Sequence, residues 1–235
     1  MPNILCIETA TQVCSVALIT DKKIIALKES KEANSHSKFV TLMIDEMLRE
    51  NNLEFSDLDA IAISKGPGSY TGLRIGVSTA KGFCYALDIP LISVGTLHSM
   101  ALGASKIISD INNDNNVLLC PMIDARRMEV YSALYDINGN EVRKVMAEII
   151  DENSFDEILK TKKMFFFGDG AEKCKIVLGQ KNNVEFLDDF FPSSQYMLEV
   201  VNFKFNKSDF EDVAYFEPFY LKDFIAGKPR VKGLY

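Results

Sequence analysis

Apolar positions along this chain follow two periods, and the order in which those periods occur repeats. Residues 3–8 form a short, nearly continuous apolar run. Val13–Ile19 and Ile24–Ser30 follow, β-rich and separated by polar turns, so the three runs predict an antiparallel meander. Spacing of three and four predicts a helix over 37–51. Leu58–Ser64 predicts a buried strand, because Ile61-Ala62-Ile63 is apolar without alternation. A Gly/Pro loop, a helix over 73–87, a strand over 90–94 and a helix over 97–108 come next. The polar stretch Asp110–Asn116 is the best candidate boundary on composition.

Beyond it the order recurs. Strands are predicted over 117–123 and 130–137, with a turn at Asn138-Gly139-Asn140. A third strand begins at 141. A helix near 154–160, a buried strand over 163–167, a helix opened by Gly168-Asp169-Gly170, a strand over 184–187 and a helix over 195–205 complete the copy. Residues agree faintly as well: Glu8–Leu18 aligns with Asp124–Leu134 at a constant offset, an acid ending the first strand and Ala-Leu closing the second. The repeat predicts an α/β protein of two ribonuclease-H-like subdomains, residues 1–109 and 110–235, each a mixed five-stranded sheet flanked by helices. That plan resembles the actin/hexokinase/Hsp70 (ASKHA) superfamily, in which each half contributes a hairpin to a nucleotide cleft.

Composition narrows the class. With 47% hydrophobic and 25% charged residues, the chain is not expected to be disordered, and 235 residues suffice for a core without disulfides or structural metal. No apolar run is long enough to span a bilayer. The first residues lack the basic region of a signal peptide and read as a strand. Five scattered cysteines without a CxxC predict reduced, buried thiols in a cytoplasmic protein. The net charge of -7 disfavours gripping nucleic acid over the whole surface. Residues 222–235 run against that trend, with Lys222, Lys228, Arg230 and Lys232 against Asp223. This tail reads either as a phosphate-backbone contact or as a solvated terminus, the second being preferred.

Candidate chemistry is sparse. His36 and His98 have no second His or Cys at ligand spacing, so no metal site is expected, and both histidines read as capping or packing residues. No GxSxG elbow surrounds Ser69, which disfavours a serine peptidase. The strongest local signal is Gly66-Pro67-Gly68-Ser69-Tyr70-Thr71-Gly72, joining a buried strand to a helix and flanked by Lys65 and Arg74. Gly66, Gly68, Ser69, Thr71 and Arg74 suit an anion loop; the alternative is a tight turn that seats the helix close to the sheet. Both stay open at this level.

The superfamily comparison implies acids at both hairpins. Glu8 and Asp124 occupy those places, and Gly168 and Gly170 sit where the superfamily keeps its adenosine glycines. The turn Ala125-Arg126-Arg127-Met128 has no glycine to let phosphate approach the backbone. The cleft reads as degenerate, with weak or absent nucleotide binding. The helix over 73–87 carries only Arg74 and Lys81 as charges and has a small-residue row at Gly72, Gly76, Ala80 and Cys84. A partner surface is therefore expected from Phe39, Met43, Met47, Leu73, Gly76, Val77, Ala80 and Cys84, against the alternative that these residues fill the chain's own core.

Gly66–Gly76 resembles the GPGSFTGLRIG signature of the TsaB (YeaZ) family, with Tyr70 for the usual Phe. Ile4–Thr11 resembles its ILaiDTST start, with Glu8 for Asp and Ala10 for Ser. Asp124-Ala125-Arg126-Arg127, Val130-Tyr131, Gly168-Asp169-Gly170 and Pro218-Phe219-Tyr220-Leu221-Lys222 match too, so the resemblance covers essentially the whole chain. It implies a bacterial cytoplasmic, non-catalytic paralogue of TsaD, the transferase that places threonylcarbamoyl on the N6 amine of a tRNA adenosine. It further implies a heterodimer with TsaD through the N-terminal helices, recruitment of the ATPase TsaE, self-association through the same surface, and contact with tRNA only indirectly. No cofactor is required on this view, with at most weak ATP or ADP binding at the complex interface. The competing expectation is an active ASKHA nucleotide-dependent phosphotransferase; a serine peptidase ranks below both.

Overall fold

A computed structural model of the chain describes residues 2–32, 36–111 and 116–222, with the side chains of 36–38, 110 and 111 also outside the description. The side chain of His36, most of the 110–116 stretch and all but the first residue of the basic tail lie outside it.

The strands are β1 (Asn3–Glu8), β2 (Cys14–Thr20), β3 (Lys23–Ser30), β4 (Ala60–Gly66) and β5 (Leu91–Gly95), then β6 (Val117–Asp124), β7 (Glu129–Asp136), β8 (Glu141–Ile149), β9 (Lys163–Phe167) and β10 (Val184–Leu187). The helices are α1 (His36–Glu50), α2 (Tyr70–Leu87), α3 (Thr96–Ile111), α4 (Asp156–Leu159), α5 (Ala171–Leu178) and α6 (Leu198–Lys207). Two five-stranded sheets result, ordered β3-β2-β1-β4-β5 and β10-β9-β6-β7-β8. In each the first strand is central, pairing antiparallel with the second and parallel with the fourth. The expected duplication is present element by element.

Burial follows position in the sheet. Central β1 and β4 are covered on both faces and are nearly continuously apolar, whereas edge strand β3 alternates between exposed and half-buried residues. Helix α2 starts at Tyr70 rather than at 73, because the Ser69 hydroxyl accepts a hydrogen bond from Gly72 N and caps the extra turn. The helix expected over 195–205 opens instead as a 3-10 turn, Ser194–Met197, before α6.

The cores do not divide as the chain does. Helices α1 and α2 cover one face of the first sheet, through Val40, Met43, Ile44 and Met47 from α1 and Val77, Ala80 and Cys84 from α2. The other face is covered by Met197 and Val201, from the C-terminal half. Conversely α3, which precedes position 110, packs Leu97, Met100, Ala101, Ala104 and Ile108 on the second sheet. The division of 1–109 from 110–235 therefore separates the sheets but assigns α3 and α6 to the wrong cores. Chain order placed these helices, whereas burial of their apolar faces decides where they dock. Ser15 of β2 ties the halves further, its hydroxyl bonding the Ser194 hydroxyl at 2.7 Å and accepting from Ser194 N at 3.0 Å. Among the described residues no helix is long and apolar enough to cross a membrane, and all five cysteines are free and buried.

Two glycines of α2 have opposite surroundings. A Cβ at Gly76 would lie 2.2 Å from Thr9 Oγ1, whereas at Gly82 nothing lies within 4 Å. Gly76→Ala is expected to destabilise by about 2 kcal/mol despite its better helix propensity. Gly82→Ala is expected to stabilise by up to about 1 kcal/mol. Urea denaturation of the two variants checks both signs.

Candidate functional site

The glycine loop grows from the end of β4, where Gly66 takes φ +105° and precedes a cis Gly66-Pro67 bond. It lies directly on the segment that follows β1. A Cβ would stand 2.3 Å from Ala10 O at Gly68 and 2.1 Å from Thr9 O at Gly72, so only glycine permits this approach. Ser69 N donates to Ala10 O at 2.6 Å, Gly72 N to Ser69 Oγ at 3.3 Å and Leu73 N to Ser69 O at 2.9 Å. Three of the loop's N–H groups are thus engaged within the chain. Thr71 and Arg74 point outward, the Arg74 guanidinium lying 5.1 Å from the Tyr70 ring centroid. The C-terminal segment crosses the loop: Phe219 N donates to Lys65 O at 2.7 Å, and Tyr220 packs on Tyr70 with ring centroids 4.7 Å apart. Of the two openings left by the sequence, the geometry favours close packing of the helix.

Glu8 lies under this lid. It is fully buried, as are Thr9 and Ala10. Its Oε1 accepts from Ala10 N and from Ser64 Oγ, each at 2.7 Å, while Oε2 is buried without a hydrogen-bond partner. Burial pushes the carboxyl up to about 7, against smaller opposing effects of the Ala10 and Ser64 hydrogen bonds. Of the residues expected to line a degenerate cleft, Glu8 is fully buried, with the glycine loop packed on the Thr9 and Ala10 that follow it.

Asp124, at the end of β6, is exposed. Its Oδ1 accepts from Arg126 N at 3.0 Å and pairs with the Lys173 ammonium. Gly168 and Gly170 again serve close packing, their Cβ positions falling 2.2 Å from Met122 O and 2.8 Å from Ile123 C. Beside them lies a cavity of about 310 Å³, whose wall includes Asp169, Glu172, Asp188 and Asp189 with Lys175 as its one cation. Lys175 is already paired with Glu172 and Asp188, so the cavity repels a polyphosphate rather than attracting one. Burial raises the Asp169 carboxyl from its ordinary range. Among the described residues no His/Cys/Asp/Glu group is placed to hold a metal ion. His98 stacks on Tyr135 with centroids 5.5 Å apart, in the second core, and no described histidine hydrogen-bonds to Ser69.

The expected partner residues are corrected most. Met43, Met47, Leu73, Gly76, Val77, Ala80 and Cys84 are all buried within the chain, and Phe39 packs half-buried on the same core. The small-residue row Gly72-Gly76-Ala80-Cys84 lets α2 approach its own sheet, since Gly76 meets Thr9 and Ile63. What α2 presents outward is the opposite stripe: Thr71, Arg74, Ser78, Gly82, Tyr85 and Ala86, with Ile75 half-buried. Tyr85 is 87% exposed, and Leu42 of α1 is 48% exposed. The sequence did carry a signal for this face, because Ser78, Gly82 and Ala86 form a second small row at i, i+4, i+8.

The comparisons with known proteins agree with this architecture. The family described as TsaD, tRNA N6-adenosine threonylcarbamoyltransferase, matches residues 30–229. The "tRNA threonylcarbamoyladenosine biosynthesis protein TsaB" of Escherichia coli K12 is 32% identical over 96% of this chain and 97% of its own length. The protein of the same name from Haemophilus influenzae is 28% identical over 96% of each. Among solved structures, YeaZ from Pseudomonas aeruginosa superposes with a TM-score of 0.76 at 23% identity, over 94% of this chain and 100% of that one.

Glu8 makes stability depend on pH. Its folded carboxyl titrates near 7 against an ordinary 4.5, so the native state holds the extra proton between those values. The associated stability is full below about 4.5 and is lost as pH rises through 7, by about 3 kcal/mol in total. Chemical denaturation of the parent and Glu8→Gln at pH 5 and pH 8 is expected to show a steeper fall for the parent by about that amount.

Proposed function

The chain belongs to the TsaB family, and we propose that it is a non-catalytic subunit in the synthesis of N6-threonylcarbamoyladenosine in tRNA. On this proposal it works in the cytoplasm by contact, pairing with a TsaD-like transferase and with a TsaE-like ATPase, and it meets tRNA through the complex. The observation that carries the proposal is the outward face of α2. Ten residues lie between Arg74 and Tyr85, and the exposed ones among them are Ser78 and Gly82, small and uncharged. A solvated helix ordinarily keeps a charged outer stripe, whereas small residues allow another helix to approach closely. On α1, Leu42 is an exposed apolar residue as well. When the transferase is absent, a second copy of the chain is the proposed occupant of this face.

The groove supports the same proposal from the other side. The loop glycines pack on Thr9 and Ala10 beside the buried Glu8, and the cavity beside Gly168 is acidic. No nucleotide is required by the chain on this proposal, and any ATP or ADP binds weakly, at the junction with the partner.

Two measurements test these statements. Ser78→Arg is expected to leave the fold intact, because Ser78 is exposed, and to weaken pairing with the TsaD-like paralogue by about 2–4 kcal/mol, roughly 30- to 700-fold in Kd. Sedimentation of the co-expressed proteins measures it, and undiminished pairing rejects the α2 face. Ala80→Arg is not a substitute, since Ala80 is fully buried and its replacement unfolds the core. Calorimetry of the chain alone with magnesium and ATP is expected to show no tight binding. Saturable binding that is lost in Asp124→Asn would establish the phosphotransferase alternative instead.

A further inference from the structure

The turn between β6 and β7 holds an unusual backbone. Arg126 has φ +73° and Arg127 φ +47°, so two successive side chains sit in the left-handed region. Asn and Gly occupy that region at less cost than arginine. Here the turn is closed by Ala125 N to Glu129 O and Glu129 N to Arg126 O, both at 3.1 Å, and both arginines are exposed. Among the described residues neither guanidinium has an ion-pair or hydrogen-bond partner.

The acids around the turn are already engaged. Asp124 pairs with Lys173, and Glu129 pairs with Lys222. Asp169 accepts from Asp124 N at 3.1 Å. The two charges at the tip are thus left uncancelled on a chain whose net charge is -7. Lys222 also ends the segment whose Phe219 N binds Lys65 O.

We propose that Arg126 and Arg127 contact the phosphodiester backbone of RNA. The proposal rests on the reading of the chain as a tRNA-modification subunit, and it adds a direct RNA contact to that reading. Guanidinium forks match phosphate oxygens in geometry and charge. A free nucleotide fits less well, because the neighbouring cavity is acidic and Arg126 N is bonded to Asp124. Exposed cations suit an extended backbone, where such contacts position the ligand without reading sequence.

The double substitution Arg126→Asn, Arg127→Gly removes both charges and puts at each left-handed position a residue that tolerates it. Binding of fluorescent, unmodified tRNA is measured by anisotropy over a range of KCl, for the chain alone and for its mixture with the TsaD-like paralogue. The Asn-Gly variant is expected to melt no lower than the parent and to bind tRNA roughly tenfold more weakly at 0.1 M salt. Its slope of log K against log salt is expected to be flatter by about 1.4–1.8. Arg126→Lys with Arg127→Lys is expected to keep the parent slope. Equal slopes and affinities for the parent and the Asn-Gly variant, alone and in the mixture, overturn the proposal. So does an ATP titration in which that variant loses saturable nucleotide binding while its tRNA binding is intact. If the mixture does not assemble, the subunit reading fails, and the titration of the chain alone still decides the role of the turn.

Discussion

The absence of three Cβ atoms organises this molecule. Gly68, Gly72 and Gly76 rest against Ala10 O, Thr9 O and Thr9 Oγ1 at distances no side chain would allow. Once α2 is seated there, its buried face is determined, and so is the face it shows to solvent. The same contact closes the space beyond β1. Glu8 is left in the dark beneath it, with one oxygen bonded to Ala10 and Ser64 and the other to nothing. A carboxylate in that position is costly and its protonated form is favoured, which is a poor starting point for magnesium chemistry.

Two sheets with the same strand plan need not make two independent domains. Helix α3 leaves the first sheet and covers the second, while Met197 and Val201 return from the second half to cover the first. The region between the sheets is therefore filled by helices of both halves. Close contacts such as Gly103 against Tyr196, and the Ser15–Ser194 hydroxyl pair, bind them further. This exchange makes relative motion of the halves costly, because opening them would expose apolar faces. A rigid body of this kind suits a protein that works by presenting surfaces.

Those surfaces differ in character. The outer stripe of α2 is small and nearly uncharged, which suits dry contact with protein. The β6–β7 turn carries two arginines without partners among the described residues, beside acids already satisfied by Lys173 and Lys222. The cavity near Gly168 is acidic. Charge thus distinguishes a nearly uncharged helix face, a basic tip and an acidic recess among the described residues.

The order of elements, the duplicated plan and the family were legible in the sequence, because periodicity and glycine placement are local properties. β1 and β4 read as buried strands from unbroken apolar runs, and the signature around Gly66–Gly76 marked the strand-to-helix turn. Which side of α2 faces the sheet was not legible, since Gly72-Gly76-Ala80-Cys84 and Ser78-Gly82-Ala86 are both small rows at helical spacing. Only the fit of Gly76 against Thr9 decided between them. Likewise the identity of Glu8 announced an acid at the end of β1, but its environment depended on a loop nearly sixty residues away. Local pattern determined what the elements are; long-range packing decided which of their faces remain free to act.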